Sequence, residues 1–139
     1  METIKEIQEE IIGEFEIFED WMQKYEYLID LGKELPILDE KHKDNVNLIK
    51  GCQSKVWLHA EEKYGKIIYT ADSDAIMTKG IIAILIRVLS NQSPSEIANA
   101  NLEFINKIGL KEHLSPTRAN GLLLMIKQMK LYAIVFSKE

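Results

Sequence analysis

Ile49-Lys50-Gly51-Cys52-Gln53-Ser54-Lys55-Val56-Trp57-Leu58-His59-Ala60, with Ile67-Ile68-Tyr69-Thr70-Ala71 just after it, decides the reading of the fold. Val56–Ala60 and Ile67–Ala71 are rich in β-branched and aromatic residues, and Lys63-Tyr64-Gly65-Lys66 between them has turn chemistry. Upstream, Val46, Leu48 and Lys50 alternate with Asn47 and Ile49, which predicts a further short strand. Gly51-Cys52-Gln53-Ser54 interrupts with small and polar residues and reads as a turn. The expectation is an antiparallel meander of about three strands.

Helical patterns flank this block. Ile4, Ile7, Ile11, Phe15 and Phe18 recur at spacings of three and four, which predicts a helix over about 3–18. Asp20 can cap a second helix carrying Trp21, Tyr25, Leu28, Ile29 and Leu31, with Gly32 as its stop. Leu35-Pro36 opens a polar stretch that reads as a loop or a short helical turn. After the strands, Asp72-Ser73-Asp74 precedes an apolar helix over about 75–90, with Ser73 or Asp74 as its expected cap. Ser93-Pro94-Ser95-Glu96 is a capping box, and Ser115-Pro116 starts a last helix that reaches about 136. A short helix lies between them, built on Leu102, Phe104, Ile105 and Ile108 and ending at Gly109. Helices, strands, helices in that order predict an α+β fold in one domain over 1–139, with helices covering an antiparallel sheet.

Composition narrows the function. The chain has 139 residues, enough for a hydrophobic core without disulfides or metal. One cysteine, Cys52, excludes an internal disulfide, a CxxC redox pair, and an iron–sulfur cluster held wholly by this chain's cysteines. No stretch of 18 consecutive apolar residues is present, and the acidic, amphipathic N-terminus is unlike a secretory signal, so a cytoplasmic protein is expected, with no membrane partner. The net charge of −5 is uneven: residues 1–50 hold 14 acidic and 6 basic side chains, and 51–139 hold 8 and 11. That balance argues against nucleic acid as a partner. Only Arg87 and Arg118 can offer a bidentate guanidinium contact.

Three constellations carry possible chemistry. Cys52 follows Gly51 in a polar turn. It can pack as a small hydrophobe, or act as a thiolate that attacks an electrophilic sulfur or carries a persulfide. Asp74 can cap a helix or orient the cysteine turn, and Gly80 inside the following helix implies close backbone packing. Arg118 stands third in its helix, where a cation opposes the helix dipole, so an outside partner is expected; Gly121 again implies close approach. His42, His59 and His113 show no metal-ligand spacing, so no metal is expected. A Cys52–His59 hydrolase dyad finds no support, since nothing in the sequence brings the two together.

Taken together, four ordered blocks resemble the SufE family of sulfur-acceptor proteins. They are Tyr25–Gly32 with Leu35-Pro36, Ile49–Trp57, Asp72–Ala75 with Lys79-Gly80, and Gly109-Leu110 with His113–Leu122. The resemblance implies the α+β fold shared by SufE and IscU-type proteins, with the cysteine on a loop tip that tucks into a hydrophobic cavity. It implies that Cys52 takes persulfide sulfur from a PLP-dependent cysteine desulfurase of the SufS or CsdA type. It implies stimulation of that enzyme and delivery of sulfur to a SufBCD-type scaffold for iron–sulfur cluster assembly. The PLP belongs to the partner, and this chain is implied to need no cofactor and to be no enzyme by itself. Gly51, Gln53, Asp74 and Arg118 match positions that hold the loop or face the partner. Alternatives are a CsdE-like carrier to another acceptor, and an activator that transfers no sulfur. A cluster-holding scaffold is disfavoured because it needs three or four soft ligands.

Overall fold

The computed structural model describes residues 2–138. Two helices open the chain, α1 (Ile4–Glu16) and α2 (Trp21–Lys33). Thr3 caps α1 in a reciprocal capping box with Glu6, and the Asp20 side chain accepts from the Gln23 N–H at the head of α2. Ile4, Ile7, Ile11 and Phe15 are the buried face of α1. Phe18 lies beyond the helix end and packs its ring against Phe15 and Tyr27.

The sheet has two antiparallel strands, β1 (Val56–Lys63) and β2 (Lys66–Ser73), paired with Leu58 opposite Ala71. Tyr64 and Gly65 both take positive φ, the geometry of a two-residue turn whose twist suits the strands it joins. Val56, Leu58, Ile67, Tyr69 and Ala71 are buried. The expected third strand over Val46–Lys50 is reduced to one bridge, Leu48 with Trp57. Its hydrogen bonds are Ile49 N–H to Val56 O and Leu58 N–H to Asn47 O, both 2.8 Å. The Asp44 carboxylate turns the chain by accepting from the Asn47 N–H, and the chain turns again at Lys50-Gly51, so no room remains for a longer ladder. At the outer edge of β2, Gln92 makes a single bridge to Ile67.

Helix α3 (Ile76–Leu89) follows β2, and the short helices α4 (Pro94–Ala98), α5 (Phe104–Lys107) and α6 (Leu110–His113) lead to α7 (Pro116–Ser137). The cap of α3 differs from expectation. Ala75 occupies the cap position without a side-chain bond, because Asp74 is engaged with Lys55. Ser93 caps α4 through the Glu96 N–H, and Ser115 caps α7 through the Arg118 N–H. Helix α7 is long and apolar enough, by length and composition, to cross a membrane. Here Leu122, Met125, Met129 and Ala133 bury one of its faces in the core, and the Tyr69 hydroxyl donates to Met129 O at 2.6 Å.

Helices α2 and α3 cross where both lack a side chain. A Cβ on Gly80 would sit 2.3 Å from Leu28 O, and one on Gly32 would sit 2.8 Å from Gly80 N. The close approach expected at Gly80 is present, and its partner is α2. Arg87 on α3 makes a bidentate ion pair with Glu14 on α1, at 2.6 and 2.5 Å, and the Tyr27 hydroxyl of α2 donates to the same carboxylate.

Candidate functional site

Cys52 lies between the Leu48 bridge and β1, on a loop that begins with Gly51 at φ +94°. This left-handed conformation favours glycine, and a Cβ there would also press to 3.1 Å from Leu124 Cδ1 of α7. The loop returns to the sheet at Lys55, which is held from both sides. Its N–H donates to Asp74 Oδ1 at 3.0 Å, its carbonyl accepts from the Asp74 N–H at 3.2 Å, and the Ser73 hydroxyl donates to that carbonyl at 2.8 Å. The Cys52 loop is therefore fastened at its C-terminal end by the β2–α3 corner.

The thiol is half-buried and packs against the core. It lines a cavity of ≈ 340 Å³ between the loop, α3 and the start of α7. Ile81 and Met125, both buried, form the apolar part. Thr78, Ser115 and Thr117 add hydroxyl-bearing side chains, so the cavity is mixed in character and not simply hydrophobic. Gly121 faces the sulfur: a Cβ there would stand 3.8 Å from Cys52 Sγ, an ordinary contact distance. Burial pushes the Cys52 thiol above its usual pKa, because the ionised form loses water there.

Cys52, Gln53 and Arg118 border one cavity. Gly51 packs beside it against Leu124, and Asp74 holds the loop from below without lining the cavity. The Arg118 side chain is exposed, and among the described residues its guanidinium makes no hydrogen bond or ion pair. The chain's other arginine, Arg87, is fully engaged in the fold. Beside the loop clamp, Asp72 bridges Lys43 at 3.0 Å and Lys79 at 3.4 Å. Burial pulls its carboxyl up, but Lys43, the Ser73 N–H and Lys79 outweigh it and hold the carboxyl below the usual range. His59 does not border the cavity; it stacks on His42 and pairs with Glu61. Thr78, Ile81 and Met125 escaped the sequence reading as cavity residues. Arg118, Gly121 and Met125 stand three and four apart, the spacing of one helix face, and that is the signal that could have found the wall.

The family model described as "SufE: Fe-S metabolism associated domain" matches residues 9–133. The chain belongs to the SufE family. A SufE-like protein of Rhizobium meliloti is 39% identical over 127 residues, covering 88% of this chain and 91% of that one. A SufE-like protein of Synechocystis is 38% identical over 126 residues, covering 91% and 79%. The Arabidopsis thaliana "SufE-like protein 1, chloroplastic/mitochondrial" is 40% identical over 129 residues, which are 91% of this chain and 34% of the longer plant protein. A solution structure of a hypothetical protein from Thermus thermophilus shares the fold, with a TM-score of 0.79, 17% identity and coverage of 96% and 97%. Membership in the SufE family gives the protein an accessory role in iron–sulfur metabolism.

Proposed function

We propose that this protein accepts persulfide sulfur on Cys52 from a PLP-dependent cysteine desulfurase of the SufS type, and by clearing that enzyme stimulates its turnover. The observation that carries the reading is the seating of the chain's one cysteine, on a loop tip opened by Gly51 and against a cavity bordered by Gly121. The transfer balances without an oxidant. The Cys52 thiolate attacks the terminal sulfur of the donor persulfide, a new S–S bond forms at Cys52, the donor S–S bond breaks, and the donor leaves as a thiolate. A half-buried thiol with a raised pKa is a poor nucleophile in place, so the loop moves outward for attack and returns with its cargo. Retreat into the cavity shields the persulfide from small thiols and oxidants. With a single cysteine, no neighbour can discharge the sulfur as an internal disulfide.

Asp74 acts here as a loop-positioning residue through Lys55. Arg118, without a partner among the described residues, acts as a docking contact for a carboxylate or carbonyl of the desulfurase. Gly51 and Gln53 shape the presented loop. The recipient is an iron–sulfur scaffold of the SufBCD type, and the protein works in the cytoplasm as an accessory factor with no cofactor of its own. The test is desulfurase turnover with cysteine as substrate. Wild-type protein is expected to raise the rate, and Cys52→Ser, with an unchanged melting temperature, is expected to leave it at the level of the desulfurase alone. A Cys52→Ser protein that stimulates through many turnovers overturns the reading in favour of activation without sulfur transfer.

A further inference from the structure

The short 3₁₀ turn at Glu40–His42 brings His42 onto the outward side of β1. The His42 and His59 rings stack at 3.6 Å between centroids, 13° from parallel. Glu61 is two residues along the strand, on the same face as His59, and its carboxylate lies 3.1 Å from His59 Nε2. One ligand atom from each of the three residues falls within 4.8 Å of the others. Spacing in the sequence does not show the full cluster, because His42 comes from a separate element and reaches β1 only through the fold.

We propose that His42, His59 and Glu61 form a surface site for a borderline divalent transition metal ion of the Zn²⁺ kind. Two imidazoles and one carboxylate are a ligand set that such ions take, with a fourth position left for water or an outside group. The separation of His59 Nε2 and Glu61 Oε1 already suits a shared ion. Bonds of about 2.0 to 2.2 Å at roughly tetrahedral to right angles put two ligand atoms about 3 to 3.5 Å apart. The ion takes the place of the hydrogen bond between them. His42 completes the set by tilting out of the stack, since lone pairs in two parallel rings cannot converge on one point. The backbone beneath it stays fixed, because His42 O accepts from Asn47 Nδ2 and the next residue, Lys43, pairs with Asp72. Occupancy therefore fastens the 3₁₀ turn to β1, on a face that does not border the Cys52 cavity.

The experiment is calorimetric titration of ZnCl₂ into the Cys52→Ser protein, which removes the thiol as a competing ligand and makes the result independent of any sulfur chemistry. One-to-one binding is expected, together with a rise in melting temperature. His42→Ala, His59→Gln and Glu61→Gln should each weaken binding about tenfold or more, at least the loss seen when mere supporting partners of metal ligands are removed. Glu62→Gln, on the opposite face of β1, should bind as the parent does. Circular dichroism without metal checks that each variant is folded. Absence of one-to-one binding, or full binding retained in both His42→Ala and Glu61→Gln, overturns the proposal and leaves a stacked histidine pair closed by a hydrogen bond.

Discussion

Cys52 is held by packing against the core, and its loop is fastened three residues on, at Lys55, by Asp74 and Ser73. Its raised thiol pKa comes from burial, so the neutral thiol is the form that fits the cavity. The sign follows: the tucked loop keeps its full advantage below the pKa of a free thiol, and loses it as pH rises through the raised value. Alkylation of Cys52 by iodoacetamide should therefore show a midpoint above the ~8.5 of a free cysteine. Asp74→Ala removes the acceptor for the Lys55 N–H. A bond worth about 1 kcal/mol corresponds to about a fivefold increase in loop opening, so alkylation at neutral pH should quicken by about that factor, and the melting temperature should fall by only about 3–5 °C. An unchanged rate would show that the clamp does not govern loop opening. At this scale the sequence made Cys52, Asp74 and Arg118 visible through type and position. It could not show that Asp74 serves Lys55 instead of capping α3, since the same carboxylate suits either use and Lys55 is 19 residues away in the chain.

Elements were legible where an apolar pattern ran long enough, as in α1 and α3, and α7 was legible through its Ser115-Pro116 start. The hairpin was legible through Tyr64-Gly65. The third strand was over-read because alternation over five residues cannot reveal that an Asp44 turn and the Gly51 loop end the pairing on both sides. Helix α6 was missed because Gly109, read as a helix stop, also serves at positive φ as the cap of the next helix. The α2–α3 crossing was half legible: Gly80 announced a close contact, but not with Leu28 and Gly32. That crossing gives a sharp test. Gly80→Ala gains about 1 kcal/mol of helix propensity. It also places a methyl against the Leu28 carbonyl, where backbone must shift, and overpacking of this kind costs about 1–3 kcal/mol. Net destabilisation in urea unfolding is expected. Gly121→Ala, whose methyl meets only Cys52 Sγ at ordinary distance, should instead be neutral or stabilising. Equal behaviour of the two variants would contradict the packing described here.

Across the whole molecule, the two arginines divide the work. Arg87 ties α1 to α3 through Glu14, with Tyr27 of α2 on the same carboxylate, and Arg118 is left to face outward beside the cavity. The Arg87 guanidinium holds the Glu14 carboxyl below the usual range. A depressed carboxylate contributes stability above its ordinary pKa, and that contribution is lost as pH falls through the depressed value. Arg87→Gln should lower stability at pH 7 and flatten the loss between roughly pH 5 and 3 relative to wild type. Parallel pH profiles for the two proteins would refute the role given to this pair. No pattern in the sequence pairs Glu14 with Arg87, because the contact joins distant helices and depends on how they cross.

Intact mass shows whether Cys52 carries sulfur. After incubation with a SufS-type desulfurase and cysteine, without reductant, the wild-type protein should gain the mass of one or more sulfur atoms. Dithiothreitol should reverse the gain, and Cys52→Ser should show none. No gain with a desulfurase that the protein stimulates, or an equal gain on Cys52→Ser, would contradict the account.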